Sequence, residues 1–272
     1  MARSCGAACQ RETRVNPQAS GRLGGGATLD GMRLADLLFT QGFGSRRECA
    51  DLVSAGLVQV QGRTVLDAAA DLPAEGLGFT VQGQPWQYQA EALLMLHKPA
   101  GYECSRQPRD HPGVLDLLPA PLRRRGVQPV GRLDHDTTGL LLLTDQGALI
   151  HRLTHPRRHV PKVYLATTRH AVDEAQVAAL LAGVVLHDDP GAVRAAACQA
   201  EGPHLLRLTL TDGRYHQVKR MVAAVGNRVE ALHRAAFGAL ELPGDLAPGD
   251  WRWLTAQERT ALGATAPVVA PG

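Results

Sequence analysis

From Met32 onward the apolar positions of this chain fall into short, regular periods. In MRLADLLFTQGF (32–43), Leu34, Leu37 and Leu38 recur at helical spacing and Gly42 closes the run. Ser45 is placed to cap a second helix, RRECADLVSAG, which Gly56 ends. The period then drops to two in LVQVQGRTV (57–65), where Gln61-Gly62 predicts a hairpin turn. LGFTVQG predicts one more strand, followed by a connector containing Pro85.

Beyond Glu91 strands and helices interleave. LLMLH (93–97), GLLLLT (139–144), KVYLATT (162–168), AVRAAACQA (192–200) and HLLRLTLT (204–211) read as strands, and residues 146–154, 173–182, 215–225 and 256–262 as helices. Many strands among few helices imply an α+β domain around one central, mostly antiparallel sheet. The expected division is a disordered tail at 1–31, a small module at 32–80, a linker at 81–90, the larger domain at 91–262 and a flexible tail at 263–272. No period of the kind that builds a solenoid runs through the chain.

Composition narrows the class. At 272 residues, 44% hydrophobic and 20% charged, the chain can bury a real core, which excludes wholesale disorder. No apolar run reaches the ~18 residues of a membrane span. The five cysteines are scattered, without a signal-peptide core before them, which points to a reducing cytoplasm. Cys5 and Cys9 have no second ligand pair, which argues against zinc. The Gly-, Ala- and Arg-rich residues 1–31 suit a solvated tail or an overlong start better than a transit peptide.

The net charge of +3 says less than its distribution. Only three of the 29 basic residues are lysines, Lys98, Lys162 and Lys219, each in a segment dense in chemistry. LHKPAGYECS (96–105) turns the chain after a strand. GRLDHDTTGLLLLTD (131–145) puts Asp134 beside strongly apolar sequence, where a carboxylate needs a partner, whereas Asp136 before Thr and Gly reads as turn chemistry. TDGRYHQVKRMVAAVGN (211–227) opens a helix with Gln217, Lys219 and Arg220, suited to an anion. Between these last two, residues 146–172 hold five Lys/Arg, among them Arg157, Arg158 and Lys162, with four histidines and no acid, a surface for a polyanion. Lys162 and Tyr164, two apart on a strand, share a face.

The two helices and hairpin, with Ser45-Arg46-Arg47 opening the second helix, resemble the S4 RNA-binding module, in which Arg46 and Arg47 would meet phosphates. Residues 32–90 carry four Arg against six acids, few cations for an RNA binder. Behind that module, GRLDHDTTGLLLLTD, HVPKVYLAT and GRYHQVKRM, in this order, resemble the small-S4-domain class of ribosomal RNA pseudouridine synthases, and the likeness runs through LHRAAFGALELPGDLAPGDWRWLT to cover about residues 32–262. HKPAGYECS, DHPGVLDLLP and RYHQVKRMVAAVGN look most like the branch acting on 16S RNA; the alternative is the sibling branch acting on 23S RNA.

The resemblance implies an S4-like domain followed by a synthase domain that isomerises a uridine of ribosomal RNA, of the uridine-516 type in the 16S branch, without cofactor or metal. By motif match Asp134 is the catalytic aspartate, nucleophile or base at the sugar. Lys219 is the partner that holds Asp134 ionised, and Tyr164 packs on the target base. Arg132 contacts RNA or fills the space of the extruded nucleotide, and Lys98, Lys162, Gln217, Arg220, Arg46, Arg47, Arg157 and Arg158 contact RNA or support the site. The implied partner is 16S RNA in a partly assembled small subunit, met by a cytoplasmic monomer away from membranes. Two rivals fit less well. A non-catalytic RNA binder would have decayed at Asp134, Tyr164 or Lys219. A glycoside hydrolase using Asp134 and Asp136 would draw its carboxylates from separate elements ~5–10 Å apart.

Overall fold

The computed structural model describes residues 31–187 and 189–263; the tails expected at 1–31 and 263–272 lie, apart from Gly31 and Gly263, outside them. The first helix spans Leu34–Thr40 and the second Arg46–Ser54. Ser45 caps the second in a reciprocal box: its Oγ accepts from the Glu48 amide at 3.3 Å, and Glu48 Oε2 accepts from the Ser45 amide at 2.7 Å. Val58–Val60 turns back on Arg63–Thr64 through Gln61 (φ 50°) and Gly62 (φ 76°), the consecutive left-handed pair that matches strand twist in a two-residue hairpin.

The same device at Gln82 and Gly83 joins Gly78–Val81 to Gln84–Gln87, which completes a four-stranded sheet. The linker expected at 81–90 is therefore corrected: most of it is hairpin. Pro85 masks that strand in the sequence, yet Gln84–Gln87 is an edge strand and can spare an N–H. Leu34, Leu37, Leu38, Val53 and Phe79 fill the core between helices and sheet.

The larger sheet runs Ala197–Gly202, Leu205–Leu210, Lys162–Thr168, Val229–Phe237, Thr138–Thr144, Leu93–Lys98, Trp251–Trp253. Every neighbouring pair is antiparallel except Val229–Phe237 with Thr138–Thr144, which is parallel. The four-leucine run of Thr138–Thr144 is buried on both faces: Leu140 and Leu142 pack with Met95, Leu141 and Leu143 with Leu94. Three details depart from the sequence pattern. Residues 192–200 do not form one strand, because Asp189–Val193 pairs with Val184–Leu186 and the chain bends before Ala197–Gly202 joins the large sheet. The helix Ala120–Arg124 and the strand Trp251–Trp253 have too short a period to predict.

The two sheets are braced together by Arg125. Its Nε donates to Asp145 Oδ2 at 2.5 Å, Nη1 to Gln41 Oε1 and the Gln89 carbonyl, and Nη2 to the Ala90 carbonyl. Gly42 (φ 86°) lies against the Pro121 carbonyl so closely that a Cβ would sit 2.1 Å from its oxygen. Among the described residues no helix is long and apolar enough to cross a membrane.

Candidate active site

A cleft of ≈ 450 Å³ opens where the loop bearing Asp134 meets the strand bearing Lys162 and Tyr164 and the segment 210–218. The loop is held from three sides. Lys98, fully buried, donates its three N–H groups to the carbonyls of Pro99, His135 and Thr137 at 3.0, 3.1 and 2.8 Å. The Gly101 amide donates to the His135 carbonyl at 2.7 Å, and the Thr137 amide to that of Asp134 at 3.1 Å. Gly139 (φ 108°) then presses on the neighbouring parallel strand, where a Cβ would lie 2.3 Å from the Arg234 carbonyl oxygen. The Gly of the DTTGL run is thus required by backbone approach, at the start of the strand that the sequence predicts over 139–144.

Asp134 projects into the cleft with its side chain 30% exposed, wetter than the apolar flank suggests. His216 Nε2 stands 3.4 Å from its Oδ1 and Lys219 Nζ 3.7 Å from its Oδ2. The tight partner of Lys219 is Asp136, bound through both carboxylate oxygens at 2.7 and 2.8 Å. Lys219 therefore pairs with Asp134 only at the longer range, and Asp136, which lies in the turn closed by the Thr137 amide on the Asp134 carbonyl as the sequence suggests, is in addition a charge partner of the site. Partial burial of Asp136 is outweighed by the hydrogen bond and charge of Lys219, which hold its carboxyl below the ordinary value.

Tyr164 is half-buried beside the cleft, packed between two of the hydrophobic cores. Lys162 shares its face; Nζ donates to the Val160 carbonyl at 2.9 Å, and burial, with the charge of Arg234, depresses its pKa. Arg132 is exposed at the rim. Arg157 and Arg158 are exposed on the short helix Pro156–Arg158, beside His155, whose Nδ1 accepts from the Arg157 amide.

Other expected RNA contacts are reassigned by burial. Lys98 is inaccessible, and desolvation lowers its pKa, so it holds the loop and touches no RNA. Gln217 is 5% exposed and is spent on the turn before its helix: Oε1 accepts from the Arg214 amide, and Nε2 donates to Asp212 Oδ1. Arg220 is half-buried and donates to the Tyr215 carbonyl at 3.3 Å. Arg46 pairs with Asp36 at 3.2 Å and lies 4.2 Å over the Phe39 ring, which leaves Arg47 the freer of the two.

Sequence reasoning missed His216 and Arg234. His216 adjoins a motif already singled out, but only the left-handed backbone at φ 47° turns it toward Asp134. Arg234 is 1% exposed in mid-strand; Nε donates to the Leu140 carbonyl at 2.8 Å, the guanidinium sits 5.4 Å from the Phe237 ring, and Nη2 is buried without a partner. Nothing in the local pattern distinguishes it from a surface arginine.

An S4-type module in front of a largely antiparallel sheet, with an aspartate, a lysine and a tyrosine at one cleft, defines the class. Residues 92–224 match the RNA pseudouridylate synthase family and residues 32–75 the S4 domain. The chain is 42% identical over 235 residues to the ribosomal small subunit pseudouridine synthase A of Yersinia pestis, covering 86% of this chain and 99% of that one. The protein of the same name from Escherichia coli K12 is 41% identical over 229 residues, 84% and 98% of the two chains. A crystal structure of a pseudouridylate synthase superposes with a TM-score of 0.61 at 32% identity, over 85% of this chain and 99% of that one. The chain belongs to the RNA pseudouridylate synthase family.

Proposed function

We propose that this chain converts one uridine of small-subunit 16S ribosomal RNA to pseudouridine, with Asp134 as the catalytic carboxylate. The observation that carries the reading is the grouping of Asp134, Lys219, His216 and Tyr164 at one cleft, in a chain whose small-subunit relatives match it along nearly their whole length. The reaction is an isomerisation. The bond from uracil N1 to C1′ breaks, a bond from C5 to C1′ forms, the C5 proton leaves and N1 gains one; no electrons are exchanged, so no redox partner enters.

Asp134 acts at the sugar, as nucleophile or base, and must be ionised to do either. Lys219 supplies positive charge to that end, and His216 brings a ring nitrogen within 3.4 Å of Oδ1. Because Lys219 is tied to Asp136, it stabilises the Asp134 charge without consuming its lone pairs. Tyr164 supports the base while it turns. Extruding the uridine costs a few kcal/mol, which phosphate contacts at Arg132, Arg157 and Arg158 offset. The RNA is read by shape and by its unpaired loop, in a partly assembled subunit, by a cytoplasmic monomer. Arg47 adds an outlying phosphate contact from the S4 domain.

The test is tritium release from 5-³H-uridine-labelled 16S and 23S transcripts, free and in partly assembled subunits, with the modified position then mapped. Release from 16S alone, at a single uridine of the uridine-516 type, is expected. Release from 23S alone overturns the substrate, and tight binding without release overturns the activity.

A further inference from the structure

We infer that Tyr215 is a stacking subsite for the nucleobase next to the extruded uridine, an inference that rests on the synthase reading above. Tyr215 is one of only four tyrosines, and it stands 73% exposed on the cleft wall. One face of its ring is covered by His216, with ring centroids 3.8 Å apart and planes within 20°. The opposite face is open to solvent.

The platform is built from fixed parts. The Arg220 guanidinium holds the Tyr215 carbonyl at 3.3 Å, and the Gln217 side chain clamps the preceding turn from both ends. His216 is kept in the left-handed region at φ 47°, where a side chain with a Cβ is strained. That conformation sets its ring under Tyr215 while its Nε2 reaches Asp134. The platform and the reacting carboxylate are therefore separated by one imidazole.

A nucleobase is the ligand that fits. Flipping a uridine strips one stacking partner from each neighbour in the strand, and an aromatic face of fixed orientation at the cleft wall replaces what one of them loses. Every base has such a face, so the subsite is tolerant of sequence; selectivity stays with the RNA fold and the cleft. Arg132, exposed on the same cleft, suits a phosphate beside that base.

The experiment uses a 16S-derived stem-loop with 2-aminopurine placed in turn on the 5′ and 3′ sides of the mapped uridine. Wild-type protein and Asp134→Asn should both quench one of the two positions on binding. Tyr215→Ala should lose that quenching and raise KM about tenfold, the scale of one base-on-aromatic stack, with kcat changed less than about twofold. Tyr215→Phe should restore both. Because the side chain is exposed, Tyr215→Ala should melt like the wild type, which separates lost stacking from lost fold. Quenching that survives in Tyr215→Ala, or an unchanged KM, overturns the subsite while tritium release leaves the synthase reading standing. A wild-type protein that neither binds nor modifies the RNA overturns both.

Discussion

Lys219 is bound to the carboxylate of Asp136 at 2.7 and 2.8 Å and stands 3.7 Å from that of Asp134. The lysine that the motif assigns to the catalytic aspartate is thus held back by a second aspartate two residues on. Removing that restraint with Asp136→Asn frees Lys219 to close on Asp134, tying up the lone pairs that react. The expected result is a kcat lowered by about 10- to 100-fold, in the range of a lost positioning contact, with KM little changed. The acid limb of the pH–rate profile should move to lower pH, because the closer cation favours the carboxylate form. A purely structural role would lower the melting temperature and leave that limb in place.

Asp134→Asn keeps the shape of the loop and removes the charge. Turnover should vanish while RNA affinity and melting temperature stay near wild type. Lys219→Met should cut the rate severely and move the acid limb the other way, toward higher pH. Single-turnover tritium release on both variants checks the pair, and normal activity in either one removes the mechanism.

Lys98→Met leaves the carbonyls of Pro99, His135 and Thr137 without their shared donor. Leaving a buried acceptor such as that of Thr137 unsatisfied costs about 1–3 kcal/mol, so chemical denaturation should show a clear loss. Activity in the surviving folded fraction should also fall, since the 135–137 loop loses its tether.

Two glycines give opposite expectations for the same change. Gly139→Ala drives a Cβ into the Arg234 backbone and should prevent soluble folding or lower the melting temperature steeply. Gly147→Ala, at the start of the helix Gly147–Thr154 with open space around it and an ordinary φ, should be neutral or stabilising by about 0.4–1 kcal/mol. Thermal melts of the two variants decide the matter.

Glu258 supplies a pH-dependent brace. Its hydrogen bonds from Arg252, opposed by burial and aided by the Thr255 amide, hold its carboxyl at about 2, below the ordinary 4.5. A depressed folded-state value means stability that is fully present above pH ~4.5 and lost as pH falls through about 2. Glu258→Gln should cost about 1–3 kcal/mol near neutrality, and the gap to wild type should narrow as the pH drops through that window.

Where the chemistry is local, the residues announce it. Ser45, Gln61-Gly62 and the leucines of 34–38 each specify a cap, a turn or a buried face within a few positions, and each is found as the sequence predicts. Asp134, Lys219 and Tyr164 are legible as a set because their motifs are distinctive. What escapes is set by contacts distant in the chain. Gln84–Gln87 hides behind a proline that only an edge strand tolerates, and Lys98, singled out by the sequence, keeps its supporting role hidden because carbonyls, which every residue has, are its partners. His216 matters through a backbone angle that no residue type encodes, and Asp136 through a lysine 83 residues away.

The one parallel pairing of the large sheet also governs when the site can exist. It joins His233 to Thr138, 95 positions apart, and Arg234 to Gly139 directly behind the Asp134 loop. Contacts of such separation carry a high loop-closure cost and form late. As the chain is synthesised, the helix Gln217–Ala224 that brings Lys219 and the strand Val229–Phe237 that Gly139 leans on both come in the last quarter of its 272 residues. A nascent or C-terminally truncated chain therefore holds the S4 domain and the aspartate, but its carboxylate is neither positioned nor paired. The first domain, complete at Gln87, can thus engage RNA while roughly half of the chain, up to Phe237, is still to be made before a working catalyst exists.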